Sequence, residues 1–159
     1  MSFLKIALLL ALTSCGFRPM YRDYSAPLPP IEVAPISERT GQLLRQNLQR
    51  QLDFGAASES ARYILSVELE ESSGGVAIAK DATETFVRLT FLAIYKLEEI
   101  GVEKPLLRDR ARATAGYTVA TSDYANLIAA DDARNKAIRQ LTDSISRSVR
   151  LKMESLAPQ

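Results

Sequence analysis

The sequence predicts an α+β fold, a two-layer sandwich in which two amphipathic helices pack on one face of a three- to four-stranded, mainly antiparallel sheet. Three observations predict it. Apolar residues recur at helical spacing in two segments of the chain. Between those segments, three runs alternate apolar with polar residues, as strands with one buried face do. The composition, 47% hydrophobic and 25% charged, is typical of a globular domain with an ordinary core.

Residues 1–14 resemble a secretory signal peptide that ends at a lipidation site. One cation, Lys5, precedes an apolar run over residues 6–12. That run is far shorter than the roughly 20 residues that span a bilayer. It leads into residues 12–15, Leu-Thr-Ser-Cys, which resemble the lipobox of bacterial lipoproteins. The alternatives are a secretory peptide with a chance cysteine, or a core helix that begins the chain.

The lipobox resemblance implies how the protein is anchored. Cys15 is the only cysteine, and the resemblance implies cleavage before it, a diacylglyceryl thioether on its sulfur and an acyl group on its new amino terminus. Gly16 follows, and by resemblance to enterobacterial sorting signals a residue other than Asp implies delivery to the outer membrane. We therefore expect a Gram-negative protein that is lipid-anchored on the periplasmic side of the outer membrane and has no other cofactor.

The mature chain is expected to consist of an extended tether and a single α+β domain. Residues 15–35 hold five of the seven prolines, and proline fixes φ and removes a backbone donor. A short edge strand is expected inside this tether, at residues 31–34. The domain, residues 36–159, opens with a helix capped by Ser37 and running to about Phe54. Its apolar stripe includes Leu44, Leu48 and Leu52.

Three strands are expected to follow this helix, at residues 62–70, 83–97 and 106–119. Each alternates apolar with polar side chains, which indicates a sheet with one buried face. The sequence Ser-Ser-Gly-Gly at residues 72–75 predicts a flexible turn that ends the first of these strands. Gly101 predicts a hairpin connection between the second and the third.

The last expected element is a long amphipathic helix over residues 124–156. Ser122 or Asp123 is expected to cap its start. Acidic residues lie toward its beginning, and Arg147 and Arg150 lie near its end, a distribution that suits the helix dipole. The expected order of elements is therefore β, α, β, β, β, α.

Composition and charge exclude several classes of function. The chain has no histidine, which removes the usual general base and most transition-metal sites. Its 20 basic and 19 acidic residues give a formal charge of +1, without the basic excess of a nucleic-acid binder. Asp131 and Asp132 are adjacent on the last helix, so their side chains point about 100° apart and do not converge. We therefore expect no enzyme, no metal site and no nucleic-acid partner.

Four segments carry a family resemblance. They are residues 15–21 (CGFRPMY), the helix near residues 42–52, the long hairpin, and residues 124–134 (YANLIAADDAR). Together they resemble the LptE family of lipopolysaccharide-assembly lipoproteins in its alphaproteobacterial form. The resemblance implies an outer-membrane subunit that plugs a β-barrel of the LptD type, assists the assembly of that barrel and binds lipopolysaccharide in transit to the cell surface. An auxiliary outer-membrane lipoprotein of another envelope lipid transporter is the alternative.

A stripe of cations is the candidate contact surface. Arg108, Arg110 and Arg112 alternate along one expected strand, so all three project from the same sheet face. Arg88 and Lys96 on the neighbouring strand are expected on that face too. Guanidinium groups bind phosphates bidentately, so this face is a candidate contact for lipid A phosphates or for an acidic barrel lumen. The alternative is a solvated face whose cations are offset by nearby glutamates.

Apolar side chains share the side of the sheet that carries the cations. They are Phe86, Leu92 and Ile94. Their presence favours burial of this face against a partner.

Overall fold

The computed structural model describes residues 29–52, 61–77 and 84–156. The expected signal peptide and the expected lipidation site, Cys15, lie outside these residues. The described residues form β1 (Ile31–Val33), α1 (Glu38–Leu52), β2 (Tyr63–Ala77), β3 (Glu84–Glu99), β4 (Leu107–Thr118) and α2 (Asp123–Leu156). The order of elements is the predicted one.

The four strands form one sheet in the order β1-β2-β3-β4. β2 pairs with β3, and β3 with β4, in antiparallel ladders, whereas β1 lies parallel to β2 at one edge. The parallel pair is short, extending from Ile31 opposite Tyr63 to Val33 opposite Leu65. Parallel neighbours need a crossover connection, and α1 lies within it. The predicted α+β fold with a mainly antiparallel sheet is confirmed.

Both helices pack on one face of the sheet, so the hydrophobic core lies between two layers. Alternate strand residues point into this core, and Leu65, Phe91 and Leu97 have no exposed surface. The helices contribute buried side chains at spacings of three and four residues. These include Leu44, Leu48 and Leu52 of α1 and Ile138, Leu141, Ile145 and Val149 of α2. The other sheet face has no described helix packed on it.

The two helices lie side by side and run in the same direction. Near the end of α1, the side-chain amide of Gln51 donates to Asp143 Oδ1 of α2 at 2.8 Å. Arg150 of α2 donates to the backbone carbonyl of Gln51. The 34 residues of α2 give it a length of about 50 Å, enough to cross the whole sheet. Within the described ranges, no helix has an apolar stretch long enough to cross a membrane.

One strand is longer than predicted. The expectation that residues 72–75 form a turn ending this strand is wrong, because β2 continues to Ala77. Its ladder with β3 runs from Tyr63 opposite Glu99 to Val76 opposite Phe86. Backbone hydrogen bonds to a neighbouring strand do not depend on the side chains, so serines and glycines extend the ladder when β3 lies alongside. The predicted bounds of the other strands and of the start of α2 agree with the structure within two residues.

A glycine and two polar side chains fix the connections on either side of β4. Gly101 has a φ of +88°, a left-handed conformation that side chains strain, so it permits the predicted turn after β3. Ser122 Oγ accepts the N–H of Ala125 at 3.4 Å, which makes Ser122 the N-cap of α2. Asn126 closes the turn before α2, because its Oδ1 accepts the N–H of Ala120 at 2.7 Å and its amide donates to the Ala120 carbonyl at 2.9 Å.

Candidate binding face

The sheet face opposite the helices, which we call the open face, is divided into columns of distinct chemistry. The acidic column is Glu68 and Glu70 on β2, and the apolar column is Leu92 and Ile94 on β3. The basic column is Arg108, Arg110 and Arg112 on β4. These residues occupy alternate positions along their strands, so the two-residue period of each strand places them together on this face.

The strand register aligns these columns into rows that run from acid through apolar residue to base. Two rows are complete: Glu70 with Leu92 and Arg112, and Glu68 with Ile94 and Arg110. Neighbouring strands lie about 4.8 Å apart, so the backbones of the acid and the base in one row are separated by nearly 10 Å, with an aliphatic side chain between them.

The structure brings four of the five predicted cations together. The three arginines of the basic column are exposed, and none forms an ion pair with another described residue. Lys96 lies opposite Arg108, but its ammonium pairs with Glu98 Oε2 at 2.9 Å. Arg88 lies opposite Gly116, four residues along the strands from the level of Arg112, the nearest member of the basic column. That separation is about 13 Å, so Arg88 shares the face but lies apart from the cluster.

Apolar surface continues along β3 as predicted. Leu92 is half-buried, and Ile94 is 39% exposed. Farther along, the ring of Phe86 packs over Gly116, where a Cβ would come within 2.3 Å of Phe86 Cζ and 2.8 Å of the Val87 carbonyl oxygen. Glycine at this position leaves room for the ring, so the open face is partly apolar over much of its length.

A buried tyrosine lies under the basic column, on the core side of the sheet. Tyr95 is 2% exposed, and its hydroxyl donates to Asp109 Oδ2 at 3.3 Å. Burial raises the pKa of Tyr95 above its ordinary value, and the Asp109 carboxylate raises it further. Asp109 Oδ1 also accepts the backbone N–H of Arg110 at 2.8 Å. Asp109 therefore fixes the backbone of the strand that carries the basic column.

A polar cleft of about 570 Å³ lies in the helical layer, between the start of α1 and the early turns of α2. At its wall, Glu71 accepts from Arg134 Nε at 2.9 Å and from the Thr40 hydroxyl at 3.4 Å. Glu71 occupies a core-facing position in the alternation of β2. A carboxylate at such a position indicates a polar contact with the helical layer, and this contact was not predicted from the sequence. These bonds join the helical layer to the sheet at the wall of the cleft.

The paired aspartates of α2 have separate partners, as their helical spacing predicts. Asp131 Oδ2 accepts from the Asn135 amide at 3.3 Å, and Asp132 pairs with Lys136 at 2.6 Å. Across the described part of the chain, no group of three or more acidic, histidine or cysteine residues is placed to hold a metal ion.

Comparison with known proteins adds a family to this geometry. A family model described as LptE, lipopolysaccharide-assembly, matches residues 28–153. No protein with a curated functional description matches the chain significantly.

Solved structures share the fold. A protein of Caulobacter crescentus CB15 is 20% identical, with a TM-score of 0.64, over 80% of this chain and 93% of its own. A minor lipoprotein of Acinetobacter baumannii is 18% identical, with a TM-score of 0.59, over 78% of this chain and 92% of its own. An uncharacterised lipoprotein B of Nitrosomonas europaea is 12% identical, with a TM-score of 0.54, over 81% of this chain and 89% of its own. At these identities the likeness is one of fold.

Proposed function

We propose that this chain is the outer-membrane lipoprotein subunit of the lipopolysaccharide translocon, because it belongs to the LptE family of lipopolysaccharide-assembly lipoproteins. The family is not enzymatic. It works in the Gram-negative envelope with the machinery of lipopolysaccharide transport. The observation that carries the finer proposal is the open face, whose exposed basic column has no described ion-pair partner in its own chain.

The proposed anchor is a lipid on Cys15. The chain has no other thiol, and each buried methylene of an acyl chain contributes about 0.8 kcal/mol, so several chains together hold a protein durably at a membrane. Labelling with radioactive palmitate in a Gram-negative host tests this. We expect label on the full chain and none on Cys15→Ala, which should remain as an uncleaved or mis-sorted precursor. Label retained by Cys15→Ala would contradict the assignment.

The proposed partner is a β-barrel of the LptD type, which the domain plugs and helps to assemble. The two-layer domain supports this role because its core is closed by its own helices, while the open face stays available. Copurification with the barrel from solubilised outer membranes is the direct test. Recovery of inner-membrane transporter subunits without a barrel would instead indicate an accessory lipoprotein of another lipid transport system.

The basic column is the proposed contact for lipid A phosphates or for acidic residues of the barrel lumen. Arginine forks match phosphate and carboxylate oxygens bidentately, and Lys96 lies opposite Arg108 to extend the positive surface. Arg88 lies farther along the same face, so we expect it to contribute less.

Substitution of the basic column tests the contact. The change of Arg108, Arg110 and Arg112 to Gln should leave the melting temperature nearly unchanged, because exposed charges add little to stability. The same variant should bind lipopolysaccharide and the barrel more weakly at low salt, with the difference shrinking as salt screens the charges.

A matched control removes three exposed arginines from the helical layer by changing Arg39, Arg139 and Arg147 to Gln. This control variant changes the net charge by the same amount as the basic-column variant. It should bind lipopolysaccharide and the barrel like the wild type. Equal binding by the two triple variants would show that the basic column is only a solvated surface.

A further inference from the structure

We infer that the open face is an interface between two copies of this chain, which pair through it as a reversible two-fold dimer. This inference goes beyond the proposed function and does not depend on lipopolysaccharide binding. It rests on the distribution of charge and apolar surface over β2, β3 and β4.

The acidic and basic columns of the open face do not pair with each other within one molecule. Glu68 and Arg110 belong to the same row, but β3 lies between their strands, so their backbones are nearly 10 Å apart. Ile94 fills the space between them. Glu70 and Arg112 are separated in the same way by Leu92, and none of these four charged residues forms an ion pair with another described residue.

A second copy, rotated by 180° about an axis parallel to β3, supplies the missing partners. This rotation keeps each row at its level and exchanges left and right, so β2 of one copy lies over β4 of the other. The acidic column then faces the basic column twice, and the apolar columns meet on the axis. Packed sheets are about 10 Å apart, a gap that an arginine and a glutamate together can span.

The row of Ser66, Lys96 and Arg108 is compatible with this arrangement, whereas Arg88, farther along β3, would face its own copy across the axis. Lys96 lies next to the axis and would face its own copy, but its ammonium is already paired with Glu98 at 2.9 Å. Arg108 lies beyond Lys96 in that row, opposite a serine, Ser66, of the second copy. The attractive contacts therefore concentrate in the two central rows.

The size of the face predicts weak association. Three strands about 4.8 Å apart, over rows that extend about 30 Å, give on the order of 500 Å² per copy, below the roughly 800 Å² of a stable interface. The dimer should therefore form and dissociate readily. Because it covers the basic column, it competes with any other ligand of that column.

Charge reversal on the open face tests the dimer. The host molecule is the expected mature chain, residues 15–159, carrying Cys15→Ser, so that no attached lipid, apolar signal sequence or disulfide can join two copies. Sedimentation velocity over a range of protein concentrations should show a reversible monomer–dimer equilibrium that weakens as salt is raised.

Three variants locate the interface. Arg110→Glu and Glu68→Arg each place like charges together at two symmetry-related positions, so each should weaken dimerisation by at least about tenfold. The combined variant, Glu68→Arg with Arg110→Glu, restores opposite charges across the two-fold axis and should recover dimerisation. Arg147→Glu, on the exposed surface of α2, changes net charge as much as Arg110→Glu and should dimerise like the wild type.

The outcomes decide the proposal separately from the proposed function. A chain that stays monomeric at every concentration, or dimers that persist in both single variants, would overturn it. Recovery in the combined variant supports it whether or not lipopolysaccharide binds. Because the combined variant still lacks one arginine of the basic column, it should dimerise normally and yet bind lipopolysaccharide more weakly.

Discussion

A pair of leucines on the same helix tests the two-layer packing most directly. Leu141 lies in the middle of α2 with no exposed surface, whereas Leu151, three turns farther along, is 54% exposed. Both are helical, so replacement by alanine changes the local backbone preference of the two sites alike. The difference between the two variants therefore reports burial against the sheet.

The magnitude follows from the burial of each side chain. Replacement of a fully buried leucine by alanine loses the transfer free energy of the removed groups and leaves a cavity, which together cost about 3–4 kcal/mol. At an exposed position the change is within about 0.5 kcal/mol. For a domain of this size, Leu141→Ala should lower the melting temperature by roughly 10–20 °C.

Urea unfolding followed by circular dichroism measures both variants. The midpoint should fall for Leu141→Ala with an unchanged slope, because the surface exposed on unfolding stays nearly the same. Leu151→Ala should overlay the wild type. Equal effects of the two substitutions would refute the packing of α2 along the stripe that contains Leu141.

Two further predictions concern the sheet. Gly116→Ala should lower the melting temperature, because the new Cβ would lie 2.8 Å from the Val87 carbonyl oxygen, at a cost of about 1–3 kcal/mol. Gly74→Ala, where a Cβ would have no atom within 4 Å, should be nearly neutral. Equal effects of the two substitutions would contradict the close approach at Gly116. The pKa of buried Tyr95 is raised, so the folded state holds the tyrosine proton more tightly than the unfolded chain does. The contribution of this proton to stability is therefore complete below the ordinary tyrosine pKa of 10.0. That contribution is lost as the pH rises above this value and through the raised pKa of the folded state. The free energy of unfolding, measured across that pH range, should fall less steeply with pH in Tyr95→Phe than in the wild type. Tyr124→Phe, at a 74% exposed site, should keep the wild-type dependence on pH.

Side-chain periodicity predicted most of the fold because each strand has one buried face. It failed at residues 72–75, where serines and glycines form part of β2, because a long partner strand sustains the ladder regardless of local propensity. The short strand β1 was expected, but three residues carry too little pattern to reveal a parallel partner. That pairing depends on where the chain returns after α1, which is a property of the whole fold.

The open face could be predicted as a face but not as a set of rows. A hairpin centred on Gly101 would place Lys96 opposite Leu106, whereas the structure pairs it with Arg108. This shift moves pairs by two residues, so every side chain keeps its face. The rows change, however, and the alignment of Glu68 with Arg110 through Ile94 depends on the observed register.

The parallel pairing of β1 has a kinetic consequence. The β2–β3 and β3–β4 pairs join segments that are close in sequence, and such contacts form early because little chain entropy is lost in closing them. β1 pairs with β2 through residues such as Val33 and Leu65, which are separated in sequence by α1. It can pair only after the chain has returned past α1 and formed the edge of β2. We therefore expect β1, the first of the described strands to leave a ribosome or a secretion channel, to join the sheet last. Amide hydrogens of β1 should accordingly exchange with solvent sooner than those at the centre of β3.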